Sequence, residues 1–490
     1  MIVEAVVIVF IAIASVSYCL LTWYRRPSSS PPGPRGIPIL GNALFLRKDP
    51  HVTLRDWGRK YGKVMSVRIG RKDWVVINDY ESLHQAFVKE LVKFAGHPDT
   101  PVLKGFSDGY HGILFADYGP LWLSQRKFAI STLRRFEVGK RNVETNCLDE
   151  LSYLTDFIRL QNGQAFDMTD LLHKATANII CHGVFGKRFE YEDSTFCKLL
   201  DLLKLFVDKD ISEWFQAGIL FPPLRHIPPV STSCDLMLKA RQDILDITEN
   251  IVDDHKNTFK KEVMRDFIDC FLKEMKSGKE HFTHKQLLHV VSDLFMAGAH
   301  TTTNTLRWYL HCFLHYPEVQ NKLRKEIFAV IGPPSQINMS HLPNMPYINA
   351  FIQECNRFYT LLPLIFHQTS EDAKLCGFFI PKKTGVLANI WSIHNDPNYF
   401  EEPHKFNPER FIDERGNFVS SKYVIPFNIG GRKCLGERLA RMELFLFLVT
   451  IVQNFEVLPD PEATALPDTS PVFEFPVLAA PSFKIVAQEL

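Results

Sequence analysis

Apolar residues recur every three to four positions over much of the chain, a spacing typical of helices with one buried face. Proline or glycine bounds several of these stretches, as expected at helix ends. The predicted helices cover residues 118–137, 141–160, 234–259, 284–316, 317–331, 345–360 and 435–453.

Strand patterns are fewer and shorter than the helical ones. The runs from Val64 to Ile69 and from Trp74 to Ile77 flank a turn at residues 70–72, which predicts a β-hairpin. Near the carboxyl end, the runs 455–458 and 483–486 predict a second strand pair. We therefore expect a fold that is mainly α with small β-sheets, and the sequence contains no internal repeat.

The amino terminus has the composition of a membrane segment. From Ala5 to Tyr24 the chain has no charged residue, and as a helix this run would span about 30 Å, the thickness of a bilayer core. Arg25 and Arg26 follow the run, whereas a cleaved signal peptide carries its basic residues before it. The positive-inside rule then predicts an uncleaved, single-pass anchor at residues 1–24 with the remainder in the cytosol. The alternative interpretation is a buried core helix.

The rest of the chain has no obvious internal boundary. Residues 25–38 are basic and rich in proline, which fixes an extended backbone and indicates a stiff hinge. Residues 39–490 contain no long Ser/Gly-rich or charged linker, so we expect one large domain. Of the 490 residues, 46% are hydrophobic and 23% charged, which is enough apolar material for a large core.

Charge and cysteine usage exclude several classes of protein. Lys and Arg total 56 against 55 Asp and Glu, and a net charge of +1 argues against a nucleic-acid partner. The ten cysteines form no C-x-x-C pair, which argues against a disulfide framework or a zinc finger. This pattern is typical of free thiols in a reducing compartment.

Cys434 lies where a predicted loop meets the start of a predicted helix, in the sequence FNIGGRKCLG over residues 427–436. A helix amino terminus and nearby cations favour a thiolate, which is a good iron ligand. Gly430 and Gly436 would allow the backbone to approach a flat macrocycle, and Arg432 could pair with a carboxylate. A lone cysteine is more often a buried structural thiol, so the surrounding motif decides between the two interpretations.

This loop resembles the haem-binding signature F-x-x-G-x-R-x-C-x-G of the cytochrome P-450 family, with Phe427, Gly430, Arg432, Cys434 and Gly436 at its five fixed positions. The resemblance extends over essentially the whole chain and is strongest to the animal family-2 clan of microsomal enzymes. It implies the cytochrome P-450 fold, with haem b bound through an axial cysteine thiolate.

Two further motifs match the family in order. The sequence ECNR places Glu354 and Arg357 on one face of a helix, because residues three apart are neighbours there. The sequence PERF supplies Arg410. By resemblance the three side chains form a structural ion-pair network that holds the segment before the cysteine loop; a surface pair is the ordinary alternative.

By the same resemblance, several residues bind the haem propionates. Trp122 and Arg126 match a W-x-x-x-R helix, in which the four-residue spacing lets both reach one ligand. His367 and Arg432 complete the predicted contacts. The alternatives are a core tryptophan and a solvated arginine.

The sequence FMAGAHTT over residues 295–302 resembles the oxygen-activating A-G-x-(D/E)-T-T motif of the family. The resemblance implies that Ala297 and Gly298 make room over the iron and that Thr301 positions dioxygen and its protons. His300 departs from the pattern, because the family usually has an acid there. His300 could relay protons, since an imidazole titrates near neutrality, or be a tolerated replacement, or bind the iron as a sixth ligand.

The resemblance implies a monooxygenase that inserts one oxygen atom into a lipophilic substrate such as a steroid, fatty acid or xenobiotic. The chain has no G-x-G-x-x-G fingerprint, so electrons would come from an NADPH-dependent flavoprotein reductase, with cytochrome b5 as a second candidate partner. The enzyme would lie in the endoplasmic reticulum membrane and face the cytosol. Two alternatives remain: a haem-thiolate isomerase or dehydratase, and a non-catalytic haem- or lipid-binding protein.

The resemblance also indicates which residues form the substrate pocket. All are apolar, which suits a lipophilic substrate without selecting one, and each could equally be core. They are Phe106, Phe115, Phe295, Ala297, Leu361, Leu362, Ile365 and Phe473.

Overall fold

The computed structural model describes residues 27–46, 48–70, 72–138, 143–332, 336–474 and 476–490. The predicted membrane anchor at residues 1–24, and the first two residues of the predicted hinge, lie outside this part of the chain. Within the described part, we find no helix whose length and apolar character would let it cross a bilayer.

Helices make up most of the described chain, so the predicted fold class is confirmed. The helices are α1 (Pro50–Tyr61), α2 (Tyr80–His84), α3 (Leu91–Phe94), α4 (Pro101–Phe106), α5 (Pro120–Val138), α6 (Val143–Leu160), α7 (Thr169–Phe185), α8 (Ser194–Val207), α9 (Lys209–Leu220), α10 (Val230–Thr258), α11 (Phe267–Lys276), α12 (His284–His315), α13 (Pro317–Val330), α14 (Pro346–Tyr359), α15 (Ile390–His394) and α16 (Glu437–Asn454). A π-helical turn spans Gln85–Lys89, and 3₁₀ turns span Ala43–Leu46, Pro222–His226, Met339–Asn344 and Pro408–Phe411.

The strands form one four-stranded sheet and three two-stranded sheets among the described residues. The strands are β1 (Val64–Ile69), β2 (Lys72–Ile77), β3 (Leu364–Gln368), β4 (Ala373–Leu375), β5 (Phe378–Ile380), β6 (Gly385–Asn389), β7 (Phe455–Pro459), β8 (Val472–Glu474), β9 (Val477–Ala479) and β10 (Ile485–Glu489). The order of the large sheet is β1-β2-β6-β3, in which β2 and β6 are parallel and the other pairs antiparallel.

The backbone divides into two compact units. Unit 1 contains the residues up to Pro98 together with 364–393 and 429–431, and unit 2 contains 99–363, 394–428 and 432–490. Unit 1 is built on the four-stranded sheet, whose strand β6 is buried along its whole length. Unit 2 is built around the long helix α12, which packs on α7, α10 and α16.

Two apolar clusters form the core of unit 2. One joins α6, α12, α13, α14 and α16 around Trp308, Phe351 and Phe447. The other joins α5, α7, α8, α10, α11 and α12 around Phe196, Phe271 and Phe295. Helix α12 contributes to both clusters, so most of its surface is covered by protein.

The predicted helices and both predicted strand pairs are present in the structure. Each predicted helix is present with both ends within four residues of the prediction, and the hairpin is β1 and β2. The strand pair predicted at 455–458 and 483–486 is confirmed as β7 and β10, although β10 is shifted and runs from Ile485 to Glu489, with Glu489 opposite Phe455. Helix α7 was not predicted, because it is buried on most faces and shows little amphipathic period.

A buried ion-pair network fixes the segment that precedes the cysteine loop. Arg357 makes two 2.7 Å hydrogen bonds to Glu354, and both side chains are fully buried. Arg410 reaches Glu354 at 3.2 Å, so the structure brings the three predicted members together. Arg357 also donates to the carbonyls of His394 and Pro403 at 2.9 Å, which ties helix α14 to the irregular chain beyond α15.

We expect Arg357→Ala to destabilise the protein by about 3–5 kcal/mol, because it leaves the buried Glu354 carboxylate with Arg410 as its one remaining cationic partner among the described residues and removes the hydrogen bonds to His394 and Pro403. Thermal unfolding followed by circular dichroism measures this. The matched control is Lys322→Ala, which removes the 2.6 Å pair with Glu409. That pair is about half exposed, so the control should change stability by at most about 1 kcal/mol. Equal effects of the two variants would show that the buried network is dispensable.

Candidate active site

The cysteine loop is held by backbone hydrogen bonds at its two ends. The Cys434 N–H donates to the Phe427 carbonyl at 2.9 Å, and the Asn428 N–H donates to the Ile425 carbonyl at 3.1 Å. Ile425 in turn donates its N–H to His394 Nε2 at 2.9 Å. Because Arg357 binds the His394 carbonyl, the ion-pair network and the cysteine loop are connected through His394.

The two glycines of the motif serve different purposes. Gly430 has φ +78°, and a Cβ there would lie 1.9 Å from the Phe87 carbonyl oxygen, so packing within unit 1 already requires glycine. This packing role is separate from the predicted approach of the Gly430 backbone to a macrocycle, which stays a prediction. A Cβ at Gly436 would meet no atom within 4 Å, which leaves open space beside Cys434.

The Cys434 side chain is accessible, yet protein surrounds it closely. Among the described cysteines, Cys376 and Cys434 are exposed, and the other seven are buried or half-buried. Desolvation raises the pKa of the Cys434 thiol, and Glu437 adds to this effect. A hydrogen bond from the Gly436 backbone, and the charges of Arg126 and Lys433, act in the opposite direction. The loop thus supplies partners for a thiolate that its apolar surroundings disfavour.

Two guanidinium groups lie against Trp122, which is buried on α5. The Arg432 guanidinium lies 4.6 Å from the indole centroid and that of Arg126 lies 5.3 Å from it. Arg432 donates to the Ala116 carbonyl at 2.6 Å, and Arg126 donates to the Lys433 carbonyl. Burial lowers the pKa of Arg432 to about 10, and Arg126 lowers it further, while Asp117 opposes the change. The indole N–H donates to the Ile113 carbonyl at 3.1 Å.

These residues suit a large anionic cofactor. Two partly desolvated cations 4.6 and 5.3 Å from one indole repel each other, and a ligand with carboxylates would offset that repulsion. Leu435, next to the accessible thiol, packs against the apolar cluster that contains Trp122 and Ala299. An accessible thiol, a cationic pair and an apolar wall therefore lie in one region of unit 2, as a haem requires.

Helix α12 is mostly buried, but protein does not cover it at Ala297. Ala297 is exposed and Thr301 is half-buried, although Phe295 and Ala299 are fully buried. The Thr301 hydroxyl donates to the Ala297 carbonyl at 2.8 Å, so its oxygen lone pairs can accept further hydrogen bonds.

Gly298 has a packing role that the sequence did not reveal. A Cβ there would lie 2.5 Å from Ile180 Cδ1 of α7, so glycine permits the close contact of the two helices. Of the two small residues of the motif, only Ala297 is exposed.

His300 lies on the side of α12 that contacts α7. Its Nδ1 is 3.3 Å from Nε2 of His173, and the Asn304 amide nitrogen donates to its Nε2 at 2.9 Å. Burial lowers the pKa of His300 to about 3, and the charges of His173 and Arg307 add to this effect. His300 is therefore a neutral imidazole at physiological pH.

His367 and Ile365 belong to strand β3 of unit 1. His367 is buried, bonds the Phe94 carbonyl through Nδ1 at 2.9 Å and stacks on Phe87 at 4.1 Å. Since a carbonyl only accepts, His367 carries a proton on Nδ1. Ile365 is half-buried and pairs with Ala388 of β6.

The other predicted pocket residues lie in unit 2. Phe106 packs edge-to-face on Phe115 at 5.3 Å within an apolar cluster of α4, α9 and α10. Phe295 has no exposed surface and packs against Phe185, so it contributes to the core between α7 and α12. The remaining positions are half-buried: Leu361, Leu362 and Phe473.

Sequence reasoning missed a buried pair that fixes the loop between α4 and α5. Asp293 on α12 accepts the N–H groups of Ile113 and Leu114 at 2.8 and 3.0 Å. Arg241 on α10 donates to the other Asp293 oxygen at 2.9 Å and lies 5.3 Å from the Phe106 ring. The available signal was an acid and an arginine at core-facing positions of apolar helices, which usually marks a pair.

Glu443 is a second buried acid that was not predicted. It lies on α16, is 1% exposed and hydrogen-bonds Thr302 of α12. Its Oε1 has no hydrogen-bond partner among the described residues. Burial raises the pKa of Glu443 to about 8, so the carboxyl is mostly protonated at neutral pH.

His255, Asp266 and Asp269 lie close enough to hold a metal ion. However, His255 bonds Asp266 at 2.8 Å, and Arg265 binds both Asp269 oxygens at 2.6 and 2.8 Å. The acids are therefore already compensated, and the cluster joins α10 to α11.

Comparison with known proteins shows that most of the chain is similar to one protein family. The family profile described as Cytochrome P450 matches residues 31–483. Cytochrome P450 2D3 of Rattus norvegicus is 36% identical over 97% of this chain and 95% of its own length. Cytochrome P450 2C5 of Oryctolagus cuniculus is 38% identical over 93% of each chain. Cytochrome P450 2U1 of Bos taurus is 35% identical over 90% of this chain and 87% of its own.

We expect Glu443→Gln to stabilise the protein increasingly as pH rises. The group ionises near 4.5 in the unfolded chain and near 8 in the fold, so the folded state binds the extra proton between these values. Wild-type stability therefore falls from about pH 5 to 8, by at most about 5 kcal/mol, and the uncharged variant escapes this loss.

Urea unfolding between pH 5.5 and 9 measures the difference. The exposed Glu318, substituted Glu318→Gln, is the control and should follow wild type at every pH. A constant difference between Glu443→Gln and wild type would mean that Glu443 is ionised in the fold.

Proposed function

Since the chain belongs to the cytochrome P450 family of haem-thiolate monooxygenases, we propose that Cys434 is its thiolate ligand and that its substrate is a lipophilic molecule. The single observation that supports this assignment is the accessible Cys434 thiol at the amino end of α16, beside the Arg126 and Arg432 cations. A thiolate-bound haem supplies the activation of dioxygen that lets one oxygen atom enter a substrate and the other leave as water.

In this proposal, Arg126 and Arg432 bind the propionates, together with His367. Their cationic groups are desolvated, so charge-assisted hydrogen bonds to carboxylates are stronger there than in water. Trp122 supports the two guanidinium groups through its ring, since its N–H is bonded to Ile113.

Thr301 is the proposed hydroxyl that holds and passes protons next to the reacting oxygen. Its own proton bonds the Ala297 carbonyl, so its oxygen can accept a hydrogen bond from water. The exposed Ala297 methyl leaves room beside that hydroxyl. We expect the predicted apolar pocket residues to exclude bulk water and hold an apolar substrate: Phe106, Phe115, Phe295, Leu361, Leu362, Ile365 and Phe473.

A steroid, a fatty acid or a hydrophobic xenobiotic would each fit such a lining. Family membership implies a redox partner such as a reductase. We propose the NADPH-dependent flavoprotein reductase, with cytochrome b5 as a second donor. Exposed Lys127, Arg134 and Arg135 on α5 lie in the same helix as Arg126 and could meet an acidic partner. Lys140 and Arg141, which the sequence adds to this set, lie outside the described residues.

We also propose that the enzyme is anchored in the endoplasmic reticulum membrane by residues 1–24, behind a hinge at 25–38, with the haem domain at 39–490 facing the cytosol. The uncharged run from Ala5 to Tyr24, followed by two arginines, supports this orientation.

Cys434→His should abolish the strongly red-shifted Soret band of the carbon monoxide complex of the reduced protein, because that band requires a thiolate ligand. The absorbance difference spectrum after dithionite reduction measures it. Cys376→Ser is the matched control, since Cys376 is the other exposed cysteine among the described residues. Loss of the band in Cys376→Ser, or its survival in Cys434→His, would contradict the assignment.

Thr301→Ala should divert electrons from product to peroxide, lowering product formed per NADPH about tenfold, because a positioned proton donor is lost. Reductase-dependent oxygen uptake, peroxide and product are measured together. Thr305→Ala removes a hydroxyl one turn further along, which bonds the Thr301 carbonyl at 3.0 Å, and should retain coupling. Turnover without reductase or oxygen would instead indicate an isomerase or dehydratase.

A further inference from the structure

A chain of four polar side chains runs between α12 and α7. Arg307 donates to Asn304 Oδ1 at 3.2 Å. Asn304 Nδ2 is nearest to His300 Nε2, to which it donates at 2.9 Å, and it also lies 3.2 Å from the His300 carbonyl and 3.5 Å from His300 Nδ1. His300 Nδ1 then lies 3.3 Å from His173 Nε2. All four side chains are largely enclosed by protein, and the two imidazole rings are nearly parallel, at 16°.

Arg307 fixes the direction of this chain. A guanidinium can only donate, so the oxygen of the Asn304 amide must face it and the NH₂ group must face His300. His300 Nε2 is consequently an acceptor. A neutral imidazole has one N–H, which therefore lies on Nδ1 and points towards α7.

The same reasoning extends to His173. Its Nε2 accepts the His300 Nδ1–H, which leaves the His173 proton on Nδ1. That nitrogen is buried and has no hydrogen-bond partner among the described residues. His173 and His300 both line a small cavity between α7, α8 and α12, together with Leu200, Leu203 and Lys204. A buried N–H donor requires an acceptor, for which one water molecule is the natural candidate.

We propose that Arg307, Asn304, His300 and His173 form a one-way hydrogen-bond chain that holds the His300 proton on Nδ1, directed away from Thr301 and towards a water bound beside His173. His173, Asn304 and Arg307 are then positioning residues that set the tautomer at position 300. This inference rests on the proposed role of Thr301, because it specifies that proton delivery to Thr301 does not pass through His300.

The charged groups around the pair keep both rings neutral. Burial lowers the pKa of His300 to about 3 and that of His173 to about 4, and Arg307 lowers both. Asp167 and Asp170 raise the pKa of His173, and Lys204 lowers it. Lys204 itself bonds Asp170 at 3.0 Å and Asp201 at 3.3 Å, so its charge is largely offset.

Two roles considered for His300 are inconsistent with this geometry. As a relay, it would need a proton on Nε2 and an acceptor other than Asn304, which would require the whole chain to reverse against Arg307. As a sixth ligand, it would need a free nitrogen, whereas Nδ1 and Nε2 are both engaged. His300 therefore replaces an acid without taking over its proton.

Histidine ¹⁵N NMR of the holoprotein, reduced and bound to carbon monoxide to make it diamagnetic, tests the proposal directly. We expect His300 and His173 to be protonated on Nδ1 and not to titrate between pH 5.5 and 9, with His300→Gln and His173→Gln used for assignment. His311, on the same helix, bonds the Asp468 carbonyl through Nε2 at 2.9 Å and provides the internal reference for the opposite tautomer.

Asn304→Asp should reverse the chain. An aspartate accepts from both Arg307 and His300, so the His300 proton should move to Nε2 while the fold is retained. Arg307→Lys, which keeps a donor, should leave the Nδ1 tautomer in place. Wild-type His300 protonated on Nε2, or titrating between pH 6 and 8, would overturn the proposal.

The functional test of the proposal measures how much product is formed per NADPH consumed. His300→Gln should stay within about twofold of wild type, in contrast to Thr301→Ala. A loss in His300→Gln as large as that of Thr301→Ala would establish the relay instead. These outcomes are separate from the identity of the thiolate ligand, because the tautomers are read by NMR whether or not Cys434 proves to be that ligand.

Discussion

Burial of helix α12 is the constraint on which the rest of unit 2 depends. The helix is 32 residues long, and protein covers most of its faces, so its polar side chains must find partners within the protein. Asp293 is paired by Arg241, Thr303 by Thr176 of α7, Thr302 by Glu443, and His300 by His173. Helices α7, α10 and α16 therefore contribute specific polar contacts as well as apolar packing, which fixes the rotation of α12. That rotation determines which residues remain accessible, among them the exposed Ala297 and the half-buried Thr301.

The cysteine loop solves a different electrostatic problem. Desolvation disfavours the Cys434 thiolate, and the loop opposes this with a backbone N–H at Gly436 and with the charges of Arg126 and Lys433. Arg126 also binds the Lys433 carbonyl, so the residue that stabilises the thiolate holds the loop against α5 as well. On the other side, the Glu354–Arg357 pair reaches the loop through His394 and Ile425. Two groups of charges thus position the loop that carries the sulfur: the partly exposed Arg126 and Lys433 beside it, and the buried Glu354–Arg357 pair, which acts through His394.

The sequence predicts the long amphipathic helices and the cysteine motif because each has a local signature: a 3.6-residue period in one case and five fixed positions in the other. It does not predict α7, or the short buried strands β3 and β6, since segments buried on all faces lose their period. Nor could it predict Arg241 as the partner of Asp293 or His173 as the partner of His300. Those pairs join residues 52 and 127 positions apart, and they depend on how α12 is rotated against α10 and α7. Gly298 is instructive in the same way, because its motif role would need only a small residue, whereas contact with Ile180 requires glycine.

The replacement of an acid by His300 illustrates why a motif residue cannot be assigned a role from its chemistry alone. In water, an imidazole is a better proton carrier near neutral pH than a carboxylic acid, which makes the relay attractive on the sequence. In the fold, Arg307 orients Asn304, Asn304 orients His300, and burial removes the positive form that a carrier would have to adopt. A carboxylate at the same position would also accept from Asn304, but it would carry negative charge beside Arg307. It would have to accept from His173, whereas His300 donates to that ring in our proposal. The substitution therefore changes the hydrogen-bond polarity of the α7–α12 contact, and for this reason the proton path that we propose runs through the Thr301 hydroxyl and not through His300.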